Sequence, residues 1–387
     1  FNEFFSIIIP PLFPFLVPQL GISYADASLL VVVFFVTYSV FQLPAGRLVD
    51  VYSARKLLVY GMVLLSAGVA LVAYAPSFPL MLAGMVVTGI GGSTYHPTGM
   101  SVISDAESDA THGRSMGIHG MLGTFGSVLA PVVMTAVAVA AGWRTALLAG
   151  CVIGLGFSLV LYVLYPRADP TASPARGFAE AVRDEFRSDS VRSTVDRAVA
   201  FLRSPSMLAL VAVFAVVGAE VRAVQSFTGV FASQAVGDDP AFGNAMLSLT
   251  MVAAGVASTV AGYGVDRMDR RLFAGGCFGL TAAAVAALVF LPLGRLLLPV
   301  AFVVLGVVMY SIYPATNALA AAASTPDDSG SVFAVTQTAA ALGGAAGPFL
   351  LGSVADLTTL RWGFLTTAGI ALAGLAVVVV AASVIEE

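Results

Sequence analysis

The chain has 387 residues, 58% of them hydrophobic and 10% charged, with a mean hydropathy of +0.94. Soluble globular proteins carry roughly 25% charged residues, so the composition excludes a string of soluble domains and points to a protein solvated by lipid. The net charge of −4 gathers into no basic tract, which leaves nucleic acid out as a partner.

A membrane-spanning helix needs about 20 mostly apolar residues. That template fits the chain twelve times, at 1–20, 26–48, 55–75, 78–103, 114–141, 143–165, 205–236, 241–264, 272–292, 296–323, 331–355 and 362–385. The runs are too long for strands and lack period-two alternation, so a closed barrel is excluded. The first run continues past Pro10 and Pro11 without a small-residue cleavage site, and is expected to stay as a span. The chain begins at Phe1 without Met, so residues are expected to precede it.

Basic residues set the orientation. Arg47, Arg55 and Lys56 flank the loop between spans 2 and 3, Arg114 closes loop 4–5, and Arg267, Arg270 and Arg271 lie in loop 8–9. The opposite loops hold only Arg144, Arg295 and Arg361, while the central linker adds seven arginines to the first group. Both termini are therefore expected on the cytoplasmic side of the cell inner membrane. In the linker, 166–204, Phe178, Val182 and Phe186, then Val191, Val195 and Val199, recur every four residues among charges. This reads as an amphipathic helix on the cytoplasmic face; a solvated tether is the other reading.

The two halves repeat at an offset of 216–217 residues. Gly46 and Asp50 map onto Gly262 and Asp266, and Glu3 onto Glu220. Pro97, Gly113, Gly126 and Pro131 map onto Pro314, Gly330, Gly343 and Pro348. The expected fold is thus an all-α membrane protein, with twelve transmembrane helices in two pseudo-symmetric six-helix bundles. The bundles are residues 1–165 and 205–387. Parallel repeats of this kind describe transporters whose substrate site lies near the membrane midplane.

The loops GRLVDVYSARK (46–56) and GYGVDRMDRR (262–271) resemble the G-x-x-x-D-x-x-x-(R/K)-(R/K) signature of the major facilitator superfamily. YHPTG (95–99), HGRSMGIHGMLGTFGSVLAP (112–131) and FNEFFSIIIPPLFPFL (1–16) are similar to its fosmidomycin-resistance-like branch. Thr98 stands where that branch usually has an acid, and His119 where an aromatic is common. Gly343, Gly347 and Pro348 resemble the GxxxGP pattern of superfamily antiporters, with Ala130 at the matching place in the first half. The superfamily resemblance implies secondary transport by alternating access. The branch resemblance implies proton-coupled efflux.

Ionisable residues inside spans are few, and each is a functional candidate. Glu3 lies about 15 residues from the outer end of span 1, or ~22 Å at 1.5 Å per residue, near the midplane, and the repeat puts Glu220 at the same depth. A charged, unpaired carboxylate there costs several kcal/mol, so each is paired, hydrated or protonated, as a proton carrier requires. Histidine titrates near neutral pH, and His96 and His119 extend Glu3 into a candidate proton path. Alternatively, His96 is a hydrogen-bonded core residue above a kink at Pro97, His119 an inner-gate residue, and Glu220 a static partner of Arg222. Glu220 and Arg222 are only two residues apart and point to different helix faces, which makes that pairing awkward. Arg222 stays charged and meets another helix, Glu3, or an anionic group on the substrate.

Spans 8 to 12 carry no ionisable residue in their interiors. The substrate-binding set is read as Asn2, Tyr95, Arg222, Tyr313, Asn317 and Gln337, with Thr336 and Thr338 as further neutral lining. Gly46, Asp50 and Arg55, with Gly262, Asp266 and Arg271, are read as a conformational latch in which glycine permits close approach and aspartate accepts from helix N-terminal amides. Trp143 and Trp362 read as interface anchors.

His112 and His119 are seven apart, without zinc-motif spacing, and Cys151 and Cys277 stand alone as buried thiols. Neither a metal nor a cofactor is expected. The expected partners are a small-molecule substrate, protons and the bilayer, with the chain as a monomer. The first function reading is proton-coupled efflux of a small amphiphilic compound, with an anionic one among the options. The second is proton-coupled uptake of a small organic anion. A membrane-embedded enzyme lacks a metal triad, nucleophile–base pair or cofactor motif, so none is expected. A non-transporting receptor would usually need an extra folded domain, for which the linker is too small.

Overall fold

Inside a bilayer only a helix or a closed barrel satisfies its own backbone, and the apolar runs fold accordingly as helices. The structure, a computed structural model, describes residues 2–106, 109–165, 204–324 and 329–385. The amphipathic reading of the linker therefore lies outside the described residues.

The first expected span is divided into α1 (Asn2–Ser6), a 3-10 turn (Pro10–Leu12) and α2 (Phe13–Leu20). Pro10 and Pro11 donate no N–H and crowd the preceding turn, so the single continuous helix expected over 1–20 is corrected, and with it the depth of Glu3 counted along that helix. Next come α3 (Tyr24–Val51), α4 (Ala54–Tyr74), α5 (Phe78–Ser93), α6 (Tyr95–Ala106), α7 (Asp109–Ala141) and α8 (Trp143–Leu164). The second half contains α9 (Pro205–Ala235), α10 (Pro240–Val265), α11 (Arg270–Phe290), α12 (Leu298–Tyr310), α13 (Ile312–Ala322), α14 (Ser329–Leu357) and α15 (Leu360–Ile385). Among the described residues, eleven stretches are long and apolar enough to cross a membrane, α5 with α6 and α12 with α13 each forming one. The broken first segment completes twelve.

The kink expected at Pro97 opens at Thr94, between α5 and α6, and its mate opens at Ser311, three residues before Pro314. A helical proline lacks its own N–H and clashes with the carbonyl four residues back, so the damage falls in the preceding turn. Helix starts follow local chemistry. Ser53 accepts from the Lys56 N–H, Asp239 from Phe242, and Asp269 from Arg271 and Leu272. Arg144 and Arg361, 217 residues apart, both close the end of a helix. Arg144 donates to the Ala73 carbonyl at 2.8 Å, and Arg361 to that of Val289. Trp143 is 3% exposed beneath the Arg144 guanidinium, 4.2 Å from its ring centroid. Its expected role as an interface anchor is corrected, because the cation covers it, whereas Trp362 is 52% exposed.

Packing divides the chain into two compact units, Phe1–Ile8 with Val33–Asp196, and Ile9–Val32 with Arg197–Glu387. In unit 1, Phe5 and Ile8 press on Gly154 and Gly150 of α8, where an added Cβ would lie 2.7 Å from each side chain. In unit 2, α9 runs against α14 with backbone on backbone. A Cβ at Gly218 would sit 1.8 Å from the Ala340 carbonyl oxygen, and one at Gly343 or Gly347 would sit 1.9 or 2.0 Å from those of Ala215 and Ala219. Small residues of this kind let membrane helices close on each other. Residues 9–32 are held to unit 2 by polar bonds. The Asp356 carboxylate accepts from the N–H groups of Tyr24 and Ala25, at 2.8 Å each, at the start of α3. Ser28 donates to the Pro348 carbonyl, Gln234 to the Tyr24 hydroxyl and Asn244 to the Pro11 carbonyl.

Candidate functional site

In unit 1 four helices bring polar groups together. The break at Thr94 starts α6 directly at Tyr95 and His96, α1 supplies Asn2 and Glu3, α3 supplies Tyr38, and α7 supplies His119 and Gly123. Glu3 Oε1 lies 3.1 Å from His96 Nε2. Ser6, one turn along α1, donates to Glu3 Oε2 at 3.3 Å and to the Glu3 carbonyl at 2.9 Å. The His96 and Glu3 side chains are 33% and 26% exposed, enough for water to reach the pair.

Aromatic rings frame this pair. Tyr95 stacks on His119, with centroids 5.9 Å apart and planes 17° apart, and turns its edge to His96 at 5.6 Å. Tyr38 meets His96 edge-on at 6.3 Å, and its hydroxyl receives the buried Asn2 amide at 3.4 Å. Gly123 leaves room for Glu3, whose Cγ lies 3.4 Å from where a Cβ would stand. Asn2, Glu3, Tyr95, His96 and His119 are thus assembled in one place. The structure adds Ser6 and Tyr38, which sequence reading passed over. Ser6 was detectable as the i+3 neighbour of Glu3, and Tyr38 as a hydroxyl inside an apolar helix.

Unit 2 treats its candidates differently. Glu220 is 3% exposed on α9, and its carboxyl faces Thr281 and Cys277 on α11. The Thr281 hydroxyl is buried and makes no hydrogen bond of good geometry. Arg222 points elsewhere and donates from Nη1 to Gln225 Oε1 at 2.7 Å. The Gln225 amide in turn donates to the Tyr310 hydroxyl at 2.5 Å and to the Met251 sulfur at 3.6 Å. Tyr313 lies beside Tyr310, with centroids 5.6 Å apart. Asn317 and Gln337 are exposed side chains. Thr336 is fully buried and bonds back to the Val332 and Phe333 carbonyls of its own helix, so its expected place in a lining is corrected. Gln225 and Tyr310 were missed; only the i+3 spacing of Gln225 from Arg222 signalled them.

Of the latch candidates, Gly46, Asp50 and Arg55 belong to unit 1 and Gly262, Asp266 and Arg271 to unit 2. A Cβ at Gly46 would be 3.6 Å from that of Pro97, an ordinary contact between α3 and α6, whereas Gly262 faces open space. Arg55 donates to the Tyr162 carbonyl and lies 4.4 Å from the Tyr162 ring centroid; the Asp50 side chain lies outside the described ones. In loop 8–9 Asp266 is exposed, and the acid that accepts the first amides of α11, including that of Arg271, is Asp269. Those amides, Leu272 first, hold the Asp269 carboxyl below the usual range. Asp269 takes this role because it sits directly at the N-cap.

Among the described residues no group of three or more His, Cys, Asp or Glu side chains is placed to hold a metal. A cavity of about 470 Å³ opens in unit 2 between Phe231, Gln234, Leu298, Leu360 and Arg361, and none of the candidates lines it. Its cation, Arg361, is the one that closes α11.

A family model described as "Major Facilitator Superfamily" matches residues 1–237 and 221–386. The chain is 30% identical over 147 residues to a "Probable L-galactonate transporter" of Escherichia coli (strain K12), which covers 38% of this chain and 32% of that one. It is 28% identical over 131 residues to the "Fosmidomycin resistance protein" of the same organism, covering 34% and 32%. The aligned part thus spans about a third of the length of these curated relatives. The crystal structure of a bacterial homolog to the human lysosomal transporter Spinster superimposes with a TM-score of 0.81 at 15% identity, over 99% of this chain and 94% of that one. At that identity the likeness is one of fold.

Proposed function

The chain belongs to the Major Facilitator Superfamily, and from that membership we propose a secondary active transporter that works by alternating access and exports a small amphiphilic compound in exchange for protons. Fold and relatives are those of membrane transporters rather than enzymes. The observation that carries the coupling is the Glu3–His96 pair at 3.1 Å. With Glu3 ionised and His96 protonated the pair is neutral. One proton more leaves it positive and one fewer leaves it negative, and a net charge is costly among apolar helices. Loading and unloading therefore favour different hydration of the pair, which is what opening toward one side and then the other provides.

His119, stacked behind Tyr95, extends this path, and the buried Glu220 is the second protonation candidate. Asn2, Tyr95, Arg222, Tyr313, Asn317 and Gln337 are the proposed substrate contacts. Gly46, Asp50, Arg55, Gly262, Asp266 and Arg271 are the proposed latch. The proposed setting is the cell inner membrane, with the protein a monomer and both termini cytoplasmic. A relative named as a resistance protein supports export.

Uptake of a small organic anion with protons is the second reading. The Arg222 charge and a relative named as a galactonate transporter favour it. Proteoliposomes with an imposed pH gradient test both. Substrate leaving against the proton gradient supports export, and accumulation with the proton supports uptake. If a gradient of either sign leaves every flux unchanged, coupling is wrong.

A further inference from the structure

The cavity of about 470 Å³ lies wholly in unit 2 and involves no residue assigned above to substrate or proton. Four spans stop at its edge. The helices α9 and α11 end at Ala235 and Phe290, and α12 and α15 begin at Leu298 and Leu360. Each of the four contributes to the lining, so the cavity opens at one surface of the bilayer and not at its centre. Three exposed polar side chains stand in it, Gln234, Thr359 and Arg361. Among the described residues the lining has a cation and no acid, and Arg361 bonds to a neutral group, the Val289 carbonyl. A carbonyl orients a guanidinium without cancelling its charge, which arginine keeps throughout.

A second cavity, of about 260 Å³, adjoins the first and shares Leu291 and Leu293 with it. Its lining is apolar throughout, and it follows α11 through Ala287 to Ala284 and α12 through Val300 to Val304. Ala284 and Val304 each lie six residues inside their helices, or ~9 Å at 1.5 Å per residue. The two alanines hollow the slot, and the exposed Val300 and Val304 leave it open to the side. The matching place in unit 1 is built otherwise. There Arg144 donates to the carbonyls of Ala73 and Ala75, at 2.8 and 3.4 Å, and lies over Trp143. Trp362 is left uncovered and meets the exposed Phe290 edge-on, at 6.1 Å and 76°. Aromatic side chains of this kind sit at headgroup level.

A cationic mouth at the membrane surface, with an apolar slot leading from it into the hydrocarbon, has the layout of a lipid. A soluble anion would leave the slot unused, and an apolar compound would leave the cation unused. We propose that the two cavities hold one phospholipid of net negative charge, such as phosphatidylglycerol. Its phosphate meets Arg361, Gln234 and Thr359, and one acyl chain lies between α11 and α12. Phosphate oxygens bind an arginine fork strongly and directionally. A zwitterionic lipid brings the same phosphate together with an ammonium, for which the lining supplies no acid. The lipid is a fixed partner of unit 2 and not cargo, so the proposal is independent of the transport reading.

The test is photolabelling of the full chain in phosphatidylcholine nanodiscs. Two probes are compared at equal trace amounts, phosphatidylglycerol and phosphatidylcholine, each with a diazirine in the first half of one acyl chain. Labelled positions are read by peptide mass spectrometry. We expect the label to concentrate in residues 284–304, with the phosphatidylglycerol probe about fivefold ahead, the scale of one arginine beside an anionic lipid. Thr359→Asp keeps a capping residue before α15 and sets a carboxylate near Arg361, so it should bring the probes within about twofold. Arg361→Gln should do the same, and Thr359→Asp decides the matter even if loss of the Val289 bond unfolds that variant. Ala287→Phe fills the slot and should reduce labelling of 284–304 by both probes. Label spread evenly over the spans, equal labelling of 284–304 by the two probes, or an unchanged preference in Thr359→Asp would overturn the proposal. So would displacement of the probe by inorganic phosphate alone, which would give the mouth to a free anion. Loss of label confined to nanodiscs that hold two chains would give the groove to a second copy, and would overturn it too. No gradient and no substrate enter the measurement. Failure here leaves proton-linked flux standing, and failure of the flux experiment leaves this site standing.

Discussion

In unit 2 the glycines of α14 close on the backbone of α9, whereas in unit 1 the matching stretch of α7 leaves room for a carboxylate. Ala340 presents its carbonyl to Gly218, and its mate in the first repeat, Gly123, faces the Glu3 side chain instead. Gly347 abuts the Ala219 carbonyl, and its mate is Ala130. With α14 shut against α9, Glu220 turns to α11 and meets Thr281 and Cys277; with α7 set back, Glu3 meets His96. The two acids are repeat mates, yet one is sunk in a bundle and the other shares a half-buried site with an imidazole. The repeat carries chain position over from one half to the other. It does not carry over which neighbour a side chain meets.

The sharpest way to break this contrast is steric. Gly343→Ala puts a Cβ 1.9 Å from the Ala215 carbonyl oxygen, and loss of the monodisperse peak in size-exclusion chromatography is expected, since overpacking costs about 1–3 kcal/mol or more. Gly120→Ala on α7, where a Cβ meets open space, should keep the wild-type Tm or raise it, alanine being up to ~1 kcal/mol better in a helix. Equal behaviour of the two variants would dissolve the difference in packing.

Next in size is the chemical contrast. Glu3→Gln should abolish pH-gradient-driven flux in proteoliposomes while exchange at equal pH persists; a wild-type pH dependence would remove Glu3 from the path. Glu220→Gln removes an acid that is buried apart from any described histidine, so a smaller loss is expected in the same assay. Losses as large as those of Glu3→Gln would make the two arms functionally equivalent despite their neighbours.

Two stability effects are smaller. Asp356→Ala removes both side-chain acceptors at the start of α3. A lost cap costs about 1 kcal/mol, so a Tm decrease of about 2–4 °C is expected in a thermal melt, and no decrease would make those bonds energetically silent. The smallest effect is on acid stability. Asp239 and Asp269 lie below the usual carboxylate range because the N–H groups of Phe242 and Leu272, respectively, bond to their charged forms. A depressed carboxylate contributes stability above its unfolded value of about 3.9 and loses it as pH falls through the folded value. The Tm should therefore be flat above about pH 5 and decline toward pH 3, and Asp269→Asn should flatten part of that decline. The matching cap in unit 1, Ser53, does not titrate.

The twelve apolar runs, the internal repeat and the polar cluster of the first half were all legible in the residues. Span length against bilayer thickness is a local property, and so is the ionisable residue that interrupts an apolar run. Glu3 and His96 do meet, but not by the helix count that put them at similar depths, because Pro10 and Pro11 break the helix along which Glu3 was counted. The prolines announced the kinks, which fall one turn earlier, at Thr94 and Ser311, because a proline disrupts the turn before it.

Rotation about the helix axis was a different matter. A membrane helix that is apolar all round carries no stripe to say which face turns inward, and successive side chains are about 100° apart. Only packing could send Glu220 toward α11 and Arg222 toward Gln225, bury Trp143 under Arg144, or give the α11 amides to Asp269 rather than Asp266. Composition and spacing thus determined that this chain crosses the membrane as two repeated halves, and which spans carry its charges. The tertiary structure decided which charges meet, because that depends on how closely neighbouring backbones approach, and the small residues of α7 and α14 set that distance differently in the two units.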